Sequence, residues 1–125
     1  EARLDPVLGL SRPDTTFSKD DFRSTVPRFQ PEHIAANQEL VDLVGAIAME
    51  HNATPAQVAL AWLLAQKPFI VPIPGTTKLS RLQENIGGAN LALSSDELNR
   101  INVTLDTIKI SGERYPAHLK ARVGK

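Results

Sequence analysis

The chain contains no cysteine, which excludes a disulfide framework and thiol chemistry. Aromatic residues make up only 5% of it, with one Trp and one Tyr, too few for a base-stacking platform. Neither sign of charge prevails, because 14 Lys+Arg balance 14 Asp+Glu, and the cationic footprint of a nucleic-acid binder is therefore missing. No apolar run approaches the roughly 18 residues of a membrane span, and no basic, apolar signal segment is seen, so a cytoplasmic location is expected. His33, His51 and His118 have no paired spacing, which argues against a metal site and predicts surface histidines. What is present, 42% hydrophobic and 22% charged residues among 125, is the composition of a globular segment of about one small domain.

Residues 1–30 read mostly as loop, with one turn expected around Lys19 to Arg23, because Pro, Asp, Thr, Ser and Lys alternate without a sustained period. From Pro31 to His51 the apolar positions Ile34, Leu40, Val44, Ile47 and Ala48 follow helical spacing, Pro31 suits a first turn, and Asn52 a stop. Thr54-Pro55-Ala56-Gln57 is a capping box that starts a helix running to Gln66. Ser94-Ser95-Asp96-Glu97 is a second one, continued by Leu98, Ile101, Leu105 and Ile108 as an amphipathic helix. Asp20, Asp21, Asp96 and Glu97 lack a partner that would divide acid and base roles, so solvation and capping account for them.

The most informative stretch is Ile70-Val71-Pro72-Ile73-Pro74-Gly75-Thr76-Thr77-Lys78. Its β-branched run predicts a short buried strand ended by Gly75, after which Thr76 or Thr77 caps a helix through Leu79 to about Gly87. A helix start of this kind presents backbone N–H groups and the positive end of its dipole, the ordinary setting for a phosphate. Lys78, Arg81 and Glu84 or Asn85 recur on one face, with Leu79, Leu82 and Ile86 as the expected buried stripe. Arg81 offers a bidentate fork and Lys78 a point charge to a phosphate, while Glu84 and Asn85 offer the acceptor and donor pattern of an adenine edge. The plain alternative is a solvated helix with its cations turned outward.

The wording Ile73-Pro74-Gly75-Thr76-Thr77-Lys78-Leu79, with Arg81-Leu82 and Glu84-Asn85-Ile86, resembles the C-terminal cofactor segment of the aldo-keto reductases. Thr25-Val26-Pro27-Arg28-Phe29, the run from Ala53 to Gln66 and Gly112-Glu113-Arg114-Tyr115-Pro116 extend the resemblance over roughly Thr15 to Pro116. It implies an NADP(H)-dependent carbonyl reductase on a (β/α)8 barrel, an α/β fold. Lys78 and Arg81 would lie near the 2′-phosphate, Glu84 and Asn85 near the adenine, and Gly75, Thr76 and Thr77 in the turn beneath the cofactor. Phe17, Phe22 and Phe29 would contact cofactor or substrate, their plain alternative being anchors that pin a loop. The tail with Lys120, Arg122 and Lys125 would help bound the substrate pocket, and Leu8-Gly9 would be the remnant of a turn after the seventh strand.

A closed barrel of this type needs roughly 250 residues, and the family's catalytic tetrad of Asp, Tyr, Lys and His matches no segment here. The expectation is therefore a single partial domain, the C-terminal half of the barrel, mostly helical with one or two short strands and inactive by itself. Glu1 as first residue and Met49 as sole methionine agree with a fragment. Its partners would be a small-molecule carbonyl substrate and the missing N-terminal half, and its uncovered apolar faces predict self-association. Two other readings are an NADP(H)-binding regulatory module resembling the potassium-channel β-subunits and an inactive helical remnant. Ser111, Tyr115 and Lys120 resemble the Ser-Tyr-Lys set of short-chain dehydrogenases, but the Tyr-to-Lys spacing is wrong by one residue.

Overall fold

Short-range hydrogen bonding decides where two of the helices begin. In the computed structural model, which describes residues 17–107, 113 and 115–120, Thr54 Oγ1 accepts from Gln57 N–H at 3.3 Å and Gln57 Oε1 accepts from Thr54 N–H at 3.0 Å. This reciprocal cap, with Pro55 at the first helical position, opens the helix Pro55–Gln66, as the sequence predicts. Ser94 and Glu97 make the same pair of bonds at 3.3 and 2.7 Å at the head of the helix Ser95–Thr107. Readings that involve Leu8, Gly9, Ile108, Ser111, Gly112, Arg114, Arg122 or Lys125 fall outside the described residues.

In chain order, 3-10 turns at Phe22–Thr25 and Pro27–Phe29 precede α1 (Pro31–Ala36), α2 (Gln38–Glu50), α3 (Pro55–Gln66), α4 (Leu79–Gly87), a 3-10 turn Gly88–Asn90, α5 (Ser95–Thr107) and α6 (Ala117–Lys120). The single helix expected from Pro31 to His51 is thus two. Asn37, at φ −94° and ψ 2°, interrupts it, in keeping with an amide side chain that competes for nearby backbone groups. After α2, Asn52 adopts φ 50°, a left-handed conformation that Asn tolerates better than most residues.

On α2, Leu40, Val44, Ile47 and Ala48 are spaced i, i+4, i+7 and i+8 and all four are buried, the stripe of an amphipathic helix. They meet Val58 of α3 and Ile101 of α5, with Leu43, Trp62, Leu91, Leu93 and Leu105 packed around them. Each fully buried Val, Leu or Ile contributes about 1.5–3 kcal/mol relative to exposure. Trp62 Nε1–H donates to Asn102 Oδ1 at 2.9 Å and so ties α3 to α5. Near the N-terminal end of the described chain, Phe17 and Phe29 meet edge to face at 5.6 Å and Arg23 lies over the Phe17 ring at 4.7 Å. Phe17 and Phe29 therefore hold each other, whereas Phe22 is exposed.

Two expectations are corrected here. The described residues contain no strand, and Ile70 to Ile73 form none. A strand is completed by hydrogen bonds to a neighbour, Pro72 and Pro74 have no N–H to offer, and no described segment pairs with this one. The stripe Leu79, Leu82 and Ile86 is also not buried, being 70%, 45% and 59% exposed. The amphipathic pattern is real, but nothing among the described residues covers its apolar side.

His51 is not a plain surface histidine either. Its Nε2 lies 2.6 Å from Glu97 Oε1, which joins the C-terminal cap of α2 to the first turn of α5. The Ser94 hydroxyl and backbone N–H, helped by His51 and opposed by burial, hold the Glu97 carboxyl down at about 2 from an ordinary 4.5. As pH falls, the unfolded chain takes up this proton first, so the stabilisation is complete above the ordinary value and is lost as pH drops toward about 2. Asp21, held down to about 2 by Arg23, titrates in the same window. Melts of the chain followed by helical circular dichroism are expected to show a falling Tm between about pH 5 and about pH 3, with Glu97→Gln flattening much of that slope. An unaltered slope in the variant would mean that the pair does not stabilise the fold.

Candidate functional site

The turn that leads into α4 is exposed throughout: Gly75, Thr76, Thr77 and Lys78 all face solvent. The helix begins one or two residues later than a cap at Thr77 or Thr76 would place it. Lys78, at φ −108° and ψ 125°, is the N-cap, and neither Thr76 nor Thr77 caps the helix. Thr76 Oγ1 instead accepts from Lys78 N–H at 3.1 Å, a local turn that a short hydroxyl side chain readily makes. No side chain caps the first turn of α4, so the positive end of the helix is presented beside the Lys78 ammonium.

One turn further, Arg81 Nη1–H donates to Glu84 Oε2 at 2.7 Å. The two side chains are unequally placed, with Arg81 55% and Glu84 17% exposed. Burial pushes the Glu84 carboxyl up, but hydrogen bonds from Arg81 and Thr54 and the charge of Arg81 outweigh it and leave the group below its ordinary value. Glu84 is therefore an anion already paired with Arg81. Asn85 is half-buried beside it.

The far end of α4 rests on α3. Gln57 Nε2–H donates to the Glu84 carbonyl at 2.9 Å, and Gly88 brings the following turn against α3. A Cβ on Gly88 would lie 3.1 Å from Leu60 Cβ and 3.2 Å from the Gln57 carbonyl oxygen, so the missing side chain permits the approach. The structure thus brings Lys78, Arg81, Glu84 and Asn85 together on consecutive turns of one helix, and Gly75, Thr76 and Thr77 into the segment leading to it. Sequence reasoning missed Gln57 as a neighbour of this site, since the capping box accounted for it. Among the described residues no group of three or more His, Asp or Glu could hold a metal, and no helix is long and apolar enough to cross a membrane.

Residues 8–106 match the Aldo/keto reductase family. The chain is 41% identical over 110 residues to "Aldo-keto reductase yakc [NADP(+)]" of Schizosaccharomyces pombe, covering 88% of this chain and 32% of that protein. It is 39% identical over 108 residues to "Aldo-keto reductase str7" of Strobilurus tenacellus, with 86% and 32% covered. To "Probable aldo-keto reductase 1" of Glycine max it is 43% identical over 89 residues, with 71% and 26% covered. The chain spans about a third or less of the length of these curated relatives.

Proposed function

The chain belongs to the Aldo/keto reductase family, and from that premise we propose that it is the C-terminal part of an NADP(H)-dependent reductase of aldehydes or ketones, folded as a (β/α)8 barrel when complete. The observation that carries the reading is the uncapped start of α4 behind an exposed Gly75-Thr76-Thr77-Lys78 turn, with Arg81 one turn on. These residues fit a phosphorylated adenosine: backbone N–H groups and two cations suit the 2′-phosphate, and Asn85 suits the adenine edge. When bound, NADPH supplies the hydride. This chain's own residues hold the adenosine end, Arg81 by its fork and Lys78 by charge, with Glu84 keeping the Arg81 guanidinium in place.

The reading also gives the exposed Leu79, Leu82 and Ile86 a purpose as surface covered by the remainder of the barrel, which makes the chain alone prone to self-association. The name of the Schizosaccharomyces pombe relative includes NADP(+), which supports the choice of cofactor. The test is a titration of the intact reductase with NADPH, NADH and 2′-phospho-AMP. NADPH is expected to bind more tightly than NADH, and 2′-phospho-AMP to compete with it. Indifference to the 2′-phosphate would overturn the reading.

A further inference from the structure

Gly87 closes α4 with φ −57° and ψ −29°, angles that any residue adopts, and glycine is a poor residue for a helix. Conformation therefore does not call for it. Space does: a Cβ on Gly87 would collide with Gln57 Nε2, the atom that donates to the Glu84 carbonyl at 2.9 Å. Gly45 and Gly75, by contrast, have open space around them. The Gln57 amide of α3 thus lies in a notch of α4 that a side chain at Gly87 would fill, and the buried Gly88 lets the two helices come together beside it.

Two helix ends are completed at this joint. Glu84 stands among the last four residues of α4, whose carbonyls lack partners within the helix, and Gln57 supplies one. Its other amide atom, Oε1, accepts from Thr54 N–H at 3.0 Å and helps to start α3. A primary amide can donate and accept in this way. Lys78 through Gln83 are exposed, so the described residues cover α4 only at Glu84, Asn85 and Gly87, and its first turn projects beyond them. The joint therefore acts on a lever: over about 12 Å of helix, a tilt of about 10° moves the first turn by about 2 Å, enough to break a hydrogen bond.

We propose that Gly87 and Gln57 are positioning residues for the adenosine subsite, forming a notched joint that sets the inclination of α4 on α3 and so the place where its first turn meets the cofactor. The proposal rests on the reading of that turn as the phosphate-binding end. Because the turn lies farther from the joint than Asn85 does, NADPH, which needs both, depends on the joint more than NADH.

The test compares Gly87→Ala, Gln57→Glu and the double variant in the intact reductase. Gln57 Nε2 is the tip of a flexible side chain, so the methyl of Gly87→Ala displaces the amide from the Glu84 carbonyl rather than breaking α4. Gln57→Glu keeps a capping box, so α3 still starts correctly, but loses the donor. Each is expected to raise the NADPH KM roughly 3- to 10-fold, the equivalent of about one hydrogen bond, while the NADH KM and kcat move less than about twofold. The double variant should be no worse than the weaker single one, because both changes break the same contact. Losses that multiply, equal losses for the two cofactors, or a lower Tm with an unchanged NADPH KM would each overturn the proposal. Should Gly87→Ala fail to fold, Gln57→Glu decides by the same comparison of NADPH with NADH. Arg81→Ala separates the two claims: if it raises the NADPH KM while the joint variants do not, only the positioning role falls, and if it has no effect the subsite falls as well.

Discussion

Arg81→Ala in the intact reductase is expected to weaken NADPH and 2′-phospho-AMP by about 10- to 150-fold and to leave NADH nearly unchanged. That range corresponds to the roughly 1.5–3 kcal/mol lost with a charged hydrogen-bonded contact. The exposure of Arg81, at 55%, argues for the lower half at physiological salt, because an exposed pair is screened. A second effect pushes the other way. Removing the guanidinium leaves Glu84, which is only 17% exposed, as an unbalanced anion near the phosphate. Arg81→Ala/Glu84→Gln should therefore bind NADPH better than Arg81→Ala alone, and Arg81→Lys, which keeps the charge but not the fork, should fall between. Cofactor titrations at two salt concentrations check all three, and an equal loss for NADH would contradict the role given to Arg81.

Much of the helical framework was legible because it is written in local chemistry. Both capping boxes, at Thr54 and Ser94, are decided within four residues, so their boundaries follow from side chains that can reach their own backbone. The buried stripe of α2 was legible for a similar reason, since Leu40, Val44, Ile47 and Ala48 repeat with the helix itself. The same logic failed at Asn37, where periodicity runs on through a residue that breaks the helix.

What sequence could not supply is contact between distant residues. The run Ile70 to Ile73 has strand composition, but a strand is a property of two segments, and its partner is not among the described residues. Leu79, Leu82 and Ile86 have core spacing without a core to enter. The His51–Glu97 pair spans 46 residues and neither side chain announces the other. The candidate site divides along the same line: the cation order on α4 was readable from helical spacing, whereas its support from Gln57 was hidden behind a capping role already sufficient for that residue. Local sufficiency conceals a second use.

The core itself allows the largest stability effect to be placed. Ile47 is 0% exposed and sits in the cluster shared by α2, Val58 of α3 and Ile101 of α5, so Ile47→Ala removes three carbons at a point enclosed by helices. Truncations of this kind cost about 2–5 kcal/mol, the spread reflecting how far the site collapses into the gap. Collapse is limited here, because α3 is also held by the Trp62–Asn102 bond and by the Gln57 bond to the Glu84 carbonyl, which favours the upper part of the range. Against a total stability of about 5–15 kcal/mol, that is a large share. Urea unfolding followed by circular dichroism is expected to show a marked fall in midpoint for Ile47→Ala and a loss of about 0.5–1.5 kcal/mol for Ile47→Val. Met49→Ala, on the exposed side of the same helix, should stay within about 0.5 kcal/mol. If Ile47→Ala cost no more than Met49→Ala, α2 would not be packed on α3 and α5 as described, and the scaffold that carries Gln57 to the Glu84 carbonyl would lose its support.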